Sequence, residues 1–330
     1  METTRIDVLD QRIIHALYVD PRAPFSRLAE VIGSSEQTVS RRYRRLFDDR
    51  ILRVVGQLDT QRVGQSDWAV RLRCAPGSAP TVATKLAEHP DTSWVQLTSG
   101  GTEIFSLIRA RDGEQRTPTL LSQLSVGRHV VGLEAYCLIH MFGKGFSSPT
   151  VPSTLSPGEI TQQPSPPRDG SSVGRPKTQL HDSDWQLLHA LASDGRATYR
   201  QLATLTHWHE STVRRRVEEL TVSGVLFFDL DVADDAFGFR SQALLWMSVV
   251  PANLKDVGTT LAERSEFPFV AATSGSTNLV AALVCPDDRS IYEYLTNEMT
   301  GLEGLSHIET APVMQFVKMH ATMTRRSLAT

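Results

Sequence analysis

The arginines crowded between positions 41 and 53 are the residues of this chain best suited to chemistry with a partner. In Ser35-Glu36-Gln37-Thr38-Val39-Ser40-Arg41-Arg42-Tyr43-Arg44-Arg45, the apolar Val39, Tyr43 and Leu46 recur at helical spacing and make a buried stripe. Arg41, two positions from both Val39 and Tyr43, points away from that stripe. Arg42 and Arg45, three apart, are expected to share its outward face. A guanidinium suits this place because its planar fork meets a phosphate, or the O6/N7 edge of guanine, bidentately. Gln37, Thr38 and Ser40 are the neutral residues expected at base edges. Ser35 is the candidate N-cap, with Glu36 favourable in the first turn. Taken alone, a solvated arginine-rich helix face would read the same way.

Recurrence separates the two readings. Ile14-His15-Ala16-Leu17 returns as Leu188-His189-Ala190-Leu191, an offset of 174, and Arg41-Arg42 meets Arg215-Arg216 at the same offset. Ser211, Thr212, Arg214, Arg215 and Arg216 are therefore the second set of candidate DNA contacts. Further on, Thr98-Ser99-Gly100 matches Thr273-Ser274-Gly275 after one residue of slippage. Solenoid periods run to roughly 20–50 residues, so two units this long are two copies of a whole protomer. That pattern implies a dimer folded from one polypeptide, and two-fold dimers commonly read a symmetric partner such as DNA.

The elements that must position these residues follow from the same periodicities. Ile13, Ile14 and Leu17 predict a first helix ending at Asp20-Pro21. A second helix over 25–32 turns Leu28, Val31 and Ile32 inward and stops at Gly33, and the third begins after Ser35. Copy two repeats this with Leu187, Leu188 and Leu191, then Leu202 and Leu205, then Val213, Val217 and Leu220. Three short helices with a tight turn before the last form a helix-turn-helix. The second part of each unit alternates strand and helix signals in the order βαββαβ, a ferredoxin-like arrangement. In copy one the helices fall near 82–88 and 119–125. In copy two they fall near 254–263 and 291–299.

The fold class expected is α+β: two winged helix-turn-helix domains alternating with two ferredoxin-like βαββαβ domains. The boundaries are 1–61, 62–144, 179–237 and 238–322. Residues 145–178, rich in Ser, Pro, Thr and Gly, are expected to form a flexible linker. The linker closes with Gly174-Arg175-Pro176-Lys177, half of an AT-hook pattern, although a basic linker end is commonplace.

Composition bounds the function. A chain of 330 residues, 40% hydrophobic and 22% charged, reads as an ordinary multi-domain soluble protein. No apolar run approaches the ~18 residues of a membrane span. Three unpaired-looking cysteines fit a reducing compartment, so the cytoplasm is the expected location. A net charge of −3 is unusual for a nucleic-acid binder. Phosphate attraction is screened beyond about 8–10 Å, however, so a local basic patch suffices.

The unit as a whole resembles the Lrp/AsnC, or feast/famine, family of regulators. The resemblance runs from "LDQRIIHAL" through "RLAEVIGSSEQTVSRRYRRLFDDRIL" into the second domain, in both copies. It implies hinge strands near 53–59 and 227–231, and double-stranded DNA as partner. It also implies an amino-acid-like effector and homo-oligomeric assembly through the effector domains. The family's Gly-x-x-Asp effector loop maps onto Gly100-Gly101-Thr102-Glu103 and Gly275-Ser276-Thr277-Asn278. Gly100, Thr102, Glu103, Gly275, Thr277 and Asn278 are accordingly the expected effector contacts. Glu103 keeps a carboxylate for an α-ammonium group and Asn278 does not, so the two sites are unequal. The bland alternative is a tight turn at each glycine.

The copies also diverge at the DNA helix. Trp208-His209 replace Ser34-Ser35, and Glu218-Glu219 replace Arg44-Arg45, which predicts an asymmetric operator read mainly by copy one. His207 and His209 have poor spacing for a metal, and neither a metal, a cofactor nor a catalytic residue is expected. The competing function is that of the sirohaem decarboxylases, which are similar to this family in both domains. Their histidine-bearing segment has no counterpart at Val55-Gly56-Gln57-Leu58-Asp59-Thr60-Gln61-Arg62. A ligand sensor with degenerate DNA heads is a third reading.

Overall fold

The computed structural model describes residues 6–110, 128–143, 154–161, 178–319 and 322–327. In copy one, α1 (Val8–Val19), α2 (Phe25–Ile32), α3 (Glu36–Asp48) and β1 (Leu52–Leu58) are followed by β2 (Ser66–Cys74), α4 (Ala79–Glu88), β3 (Thr92–Thr98), β4 (Glu103–Ala110) and β5 (Val130–Phe142). A short helix, α5 (Pro157–Thr161), stands between the copies. Copy two gives α6 (Asp182–Ser193), α7 (Tyr199–Thr206), α8 (Glu210–Val222) and β6 (Leu226–Val232), then β7 (Ser241–Val249), α9 (Leu254–Glu263), β8 (Phe269–Thr273), β9 (Leu279–Cys285), α10 (Asp288–Glu293), β10 (Leu305–Met319) and β11 (Thr322–Ser327). The helix expected near 119–125, the half AT-hook at 174–177 and most of the linker lie outside the described residues. Among the described residues, no helix is long and apolar enough to cross a membrane.

These elements sort by kind rather than by copy. The helix-turn-helix segments of both copies, with residues 154–161, form one compact unit, and the strand-rich segments of both copies form the other. In the first unit, Ile13, Ile14 and Leu17 of α1 pack against Leu28 and Ile32 of α2 and Val39 and Leu46 of α3. Asp7 caps α1 reciprocally with Asp10, and Gly33, at φ 72°, ends α2 in the left-handed conformation that favours glycine. Copy two repeats the packing with one departure. Leu205, expected inward, is 57% exposed, and its neighbour Thr206 is buried instead, its hydroxyl bonded to the Leu202 carbonyl.

The hinge strands answer how the copies pair. β1 and β6 run antiparallel in unbroken register from Leu52 opposite Val232 to Leu58 opposite Leu226. The two helix-turn-helix copies of one chain are thus joined to each other. The presumed linker is not featureless either. Leu155 is buried in the copy-one core with Ile160 packed beside it, and the Thr154 and Leu155 amides both donate to His15 Nδ1 at 2.9 Å. An Arg12–Glu159 ion pair completes this docked strap.

The second unit is a sheet that closes on itself. β4 lies between β3 and β2, and β9 between β8 and β7. The long strands β5 and β10 each serve both copies. β5 pairs with β2 through Cys137, opposite Trp68, and then with β8 from Leu138, opposite Thr273. β10 pairs with β7 through Pro312, opposite Ala243, and then with β3 from Val313, opposite Thr98. The alternation of a strand leaves one face to the helices and one to the interior. α4 covers Val70, Val95 and Ile108, and α9 and α10 cover Leu245, Val270 and Leu283. The inner face is filled by Trp94, Phe105, Tyr136, Trp246, Phe269 and Phe316. The helix expected over 291–299 is shorter: α10 ends at Glu293 and a π-type turn follows over Tyr294–Glu298.

Candidate nucleic-acid interface and effector loops

Helix α3, the one expected to contact DNA, is capped by Ser35, whose Oγ accepts from the Thr38 amide at 3.2 Å, and Glu36 sits in the first turn. At about 100° per residue, Gln37, Arg41 and Arg44 fall roughly opposite the Val39–Leu46 stripe. All three are exposed, and Arg41 and Arg44 make no ion pair or hydrogen bond among the described residues. Thr38 and Ser40 flank this face and are half-buried.

Arg42 and Arg45 do not share the outward face assigned to them from spacing. Both turn back to α1: Arg42 reaches Asp7 and Asp10, and Arg45 reaches the fully buried Asp10. The reason is angular, since Arg42 is three residues after Val39 and four before Leu46, at the edge of the buried stripe. The bond to Asp7, with Asp10 alongside, holds the Arg42 guanidinium still more firmly protonated. Arg44, which the spacing argument passed over, takes the outward place instead.

Copy two repeats this brace and weakens the reading face. Arg216 grips Asp184 with Nε and a terminal nitrogen, both at 2.7 Å, and also meets Glu219. Burial would raise the Asp184 pKa, but Arg216 and the His181 amide outweigh it and hold the carboxyl below its ordinary range. Arg214 and Arg215 are exposed; Arg214 lies over the Tyr199 ring, and Arg215 stands 3.7 Å from Glu219. Ser211 is exposed and Thr212 half-buried. Helix α3 carries four arginines against Glu36 and Asp48, a net +2, whereas α8 carries three arginines against Glu210, Glu218 and Glu219, a net zero. His209 makes no side-chain cap bond, and His207 takes φ 57° where copy one has Gly33.

Arg22 and Arg196 were also missed from sequence. They sit in the turns after α1 and α6 and bind each other's copy through backbone carbonyls. Their identical position in the two copies was the available signal.

The loops expected to contact an effector lie in the second unit. After β3, Gly100 and Gly101 adopt φ 68° and 77°, and the Thr102 hydroxyl closes the turn on the Ser99 carbonyl. Glu103 is not a waiting carboxylate. Arg71 bonds both of its oxygens at 2.9–3.1 Å, Ser99 Oγ donates to it at 2.8 Å, and Arg71 also reaches Glu309. Glu309 in turn is held below the usual carboxylate range by Arg71.

In copy two, Asn278 is spent on the backbone of Val249, accepting from its amide at 2.9 Å and donating to its carbonyl at 2.8 Å. Thr277 Oγ1 is buried with no partner. Gly275, at φ 101°, lies against the Tyr136 ring. At the offset of 175 that relates these domains, Arg71 corresponds to Trp246, Tyr136 to Ala311 and Cys137 to Pro312. Among the described residues, no group of three His, Cys, Asp or Glu side chains is placed to hold a metal ion.

Comparison with known proteins agrees with this architecture. The AsnC-type helix-turn-helix domain matches residues 6–46 and 180–221, and the Lrp/AsnC ligand binding domain matches residues 242–323, together half of the chain. The HTH-type transcriptional regulator FL11 of Pyrococcus furiosus is 26% identical over 147 residues, 44% of this chain and 94% of that protein. AldR of Mycolicibacterium smegmatis, also an HTH-type transcriptional regulator, is 29% identical over 134 residues, 39% of this chain and 78% of that protein. Over nearly its whole length the fold is similar to the siroheme decarboxylase NirDL, at 13% identity and TM-score 0.64, covering 95% of this chain and 93% of that one. The chain belongs to the Lrp/AsnC family of helix-turn-helix transcriptional regulators, with the family's unit present twice.

Proposed function

We propose that the chain is a covalent pseudo-dimer that reads an asymmetric operator of two unequal half-sites, under the control of an amino acid or a related small molecule. The observation that carries this is the contrast between the reading faces. Among the described residues Arg41 and Arg44 stand unpaired on α3, while Arg215 is drawn to Glu219 and the place of Arg44 is taken by Glu218. Phosphate contact is worth most where a cation has no internal partner and no acidic neighbour. The continuous β1–β6 register supports two recognition helices delivered by one chain. Association of several chains through the second unit is part of the same proposal.

The test is a hydroxyl-radical footprint on DNA flanking the protein's own gene and on a selected random pool. Two half-sites, the weaker lost first as salt rises, are expected. Arg41→Ala with Arg44→Ala should erase the stronger one. Equal half-sites would sink the asymmetry, and no protection on either DNA would sink the regulator.

A second reading is an enzyme of the siroheme decarboxylase kind, favoured by the length over which NirDL shares the fold. Against it, FL11 and AldR, to which the chain is similar in sequence, are transcriptional regulators. A purified protein that shows no Soret-region change with iron uroporphyrin would count against this reading, and a saturable change would favour it.

A further inference from the structure

The loop of copy two is closed by the chain itself. A Cβ on Gly275 would stand 2.5 Å from two carbons of the Tyr136 ring, so the aromatic face rests directly on the loop backbone. The ring also packs on Trp246 at 5.1 Å, and its hydroxyl donates to Glu134 at 2.9 Å. The Ser274 amide donates to the Cys137 carbonyl at 3.0 Å, and the Cys137 amide donates to Ser274 Oγ at 2.9 Å. Asn278 is bound to Val249, and Thr277 Oγ1, though without a partner, is buried.

The loop of copy one faces β10 instead, and there the sequence has removed both closures. Ala311 stands where copy one has Tyr136, and Pro312, which has no N–H, stands where it has Cys137. A Cβ on Gly100 would meet nothing within 4 Å. The charges nearby do not balance. Among the described residues Arg71 and Arg73 face three carboxylates, Glu103, Glu134 and Glu309, so two cations meet three anions. Glu309 and Glu134 are the accessible members, each side chain 43% exposed against 11% for Glu103, and Glu134 already accepts from the Tyr136 hydroxyl. On the same inner face Gln96, across Phe105 from Arg71 in register, is 1% exposed, and its side-chain carbonyl has no donor. A surplus carboxylate calls for a cation and an unsatisfied carbonyl for a hydrogen-bond donor, and an ammonium group supplies both.

From this we infer that each chain has one working effector site, at the 99–103 loop facing β10. It takes its ligand by a primary ammonium group, and Tyr136 permanently fills the pseudo-symmetric place. The inference rests on the effector-controlled reading above. It adds to that reading a stoichiometry of one per chain, a preference for free amines and a named plug.

The experiment is native mass spectrometry and calorimetry on the full chain. Each of the twenty common amino acids and its N-acetyl derivative would serve as probes, with thermal unfolding to check every variant. The expected result is saturation at one molecule per chain, with at least a tenfold loss of affinity on N-acetylation and on Glu309→Gln. Ser276→Lys, beside the closed loop, should leave affinity within twofold. Two molecules per chain, equal binding of the N-acetyl form, or sensitivity to Ser276→Lys in place of Glu309→Gln would overturn the inference and leave effector control standing. Absence of binding by every amino acid would overturn effector control by this class, and the inference with it.

Discussion

Arg22 and Arg196 hold each other's turns. Arg22 donates to the carbonyls of Gly195 at 2.9 Å and Ala197 at 3.3 Å, and Arg196 donates to those of Pro21 and Ala23, both at 2.8 Å. Each position and its partners are shifted by the same 174 residues, so the contact is self-complementary, as an interface across a two-fold axis must be. Arg22 also lies over Tyr199 and Phe228, and Arg196 over Phe25 and Tyr43. Burial lowers the pKa of both guanidinium groups, yet each remains a cation at any ordinary pH.

Arg22→Ala should destabilise the helix-turn-helix unit by about 2–4 kcal/mol. Two charge-assisted bonds are lost and carbonyls are left facing an apolar gap. Urea unfolding checks the size, and Arg22→Lys should not restore it, because an ammonium lacks the fork that spans two carbonyls. The Arg22→Ala, Arg196→Ala double variant should lose less than the sum of the singles, since either loss already loosens the shared contact.

Arg42 and Arg216 should behave as structural residues. Arg216→Ala leaves the buried Asp184 without its cation and should cost roughly 3 kcal/mol of stability, whereas Arg42→Ala leaves Arg45 on the buried Asp10 and should cost about 1–2 kcal/mol. Arg41→Ala should leave the unfolding midpoint within about a degree and weaken DNA binding alone. Thermal scans run beside binding curves separate the two classes.

The docked strap predicts a pH response with a definite sign. His15 Nδ1 must be unprotonated to accept from the Thr154 and Leu155 amides. Burial lowers its pKa from 6.5, with Glu159 opposing, and the charged groups at this contact are Glu159 and Arg12. The neutral ring is therefore favoured in the folded state. Its contribution is complete above about pH 6.5 and is lost as pH falls through the depressed folded value. Limited proteolysis near residue 155 should accelerate on acidification below pH 6.5. His15→Asn, which keeps an acceptor that does not titrate, should flatten the response. A cleavage rate independent of pH in the natural protein would refute it.

Copy two should accept repair at the turn before α8. His207 holds φ 57°, a conformation costing a residue with a Cβ roughly 1 kcal/mol, and copy one uses Gly33 there. His207→Gly should therefore stabilise the unit by about 0.5–1 kcal/mol in chemical denaturation, against the usual penalty for added glycine.

Much of this was legible because the information is local. The Val39, Tyr43, Leu46 stripe, Ser35 and Gly33 define the turn and last helix of a helix-turn-helix within 14 residues, and the 174-residue echo doubles its weight. The direction of Arg42 was not, because a residue at the edge of a buried stripe goes wherever its partner lies, and Asp10 is on another helix. Glu103 and Asn278 were found as the right positions with the wrong freedom. Their partners, Arg71 and the Val249 backbone, come from a neighbouring strand. The closing of the sheet was hidden for the same reason: β10 changes partner at Val313, and no local pattern marks which strand a long strand will join. Leu155 and Ile160 were too few to show as a periodicity, yet enough to dock a strap.

Copy one is expected to supply most of the DNA affinity, and salt dependence measures that directly. Fluorescence anisotropy on an operator duplex, repeated across salt concentrations, gives a slope of log K against log salt of about −0.9 per phosphate neutralised. Arg41→Ala with Arg44→Ala should reduce the magnitude of that slope by about 2, while Arg215→Ala should reduce it by less than 1. An unchanged slope in the Arg41, Arg44 variant, or a larger loss from Arg215→Ala, would contradict the assignment of the reading face to α3.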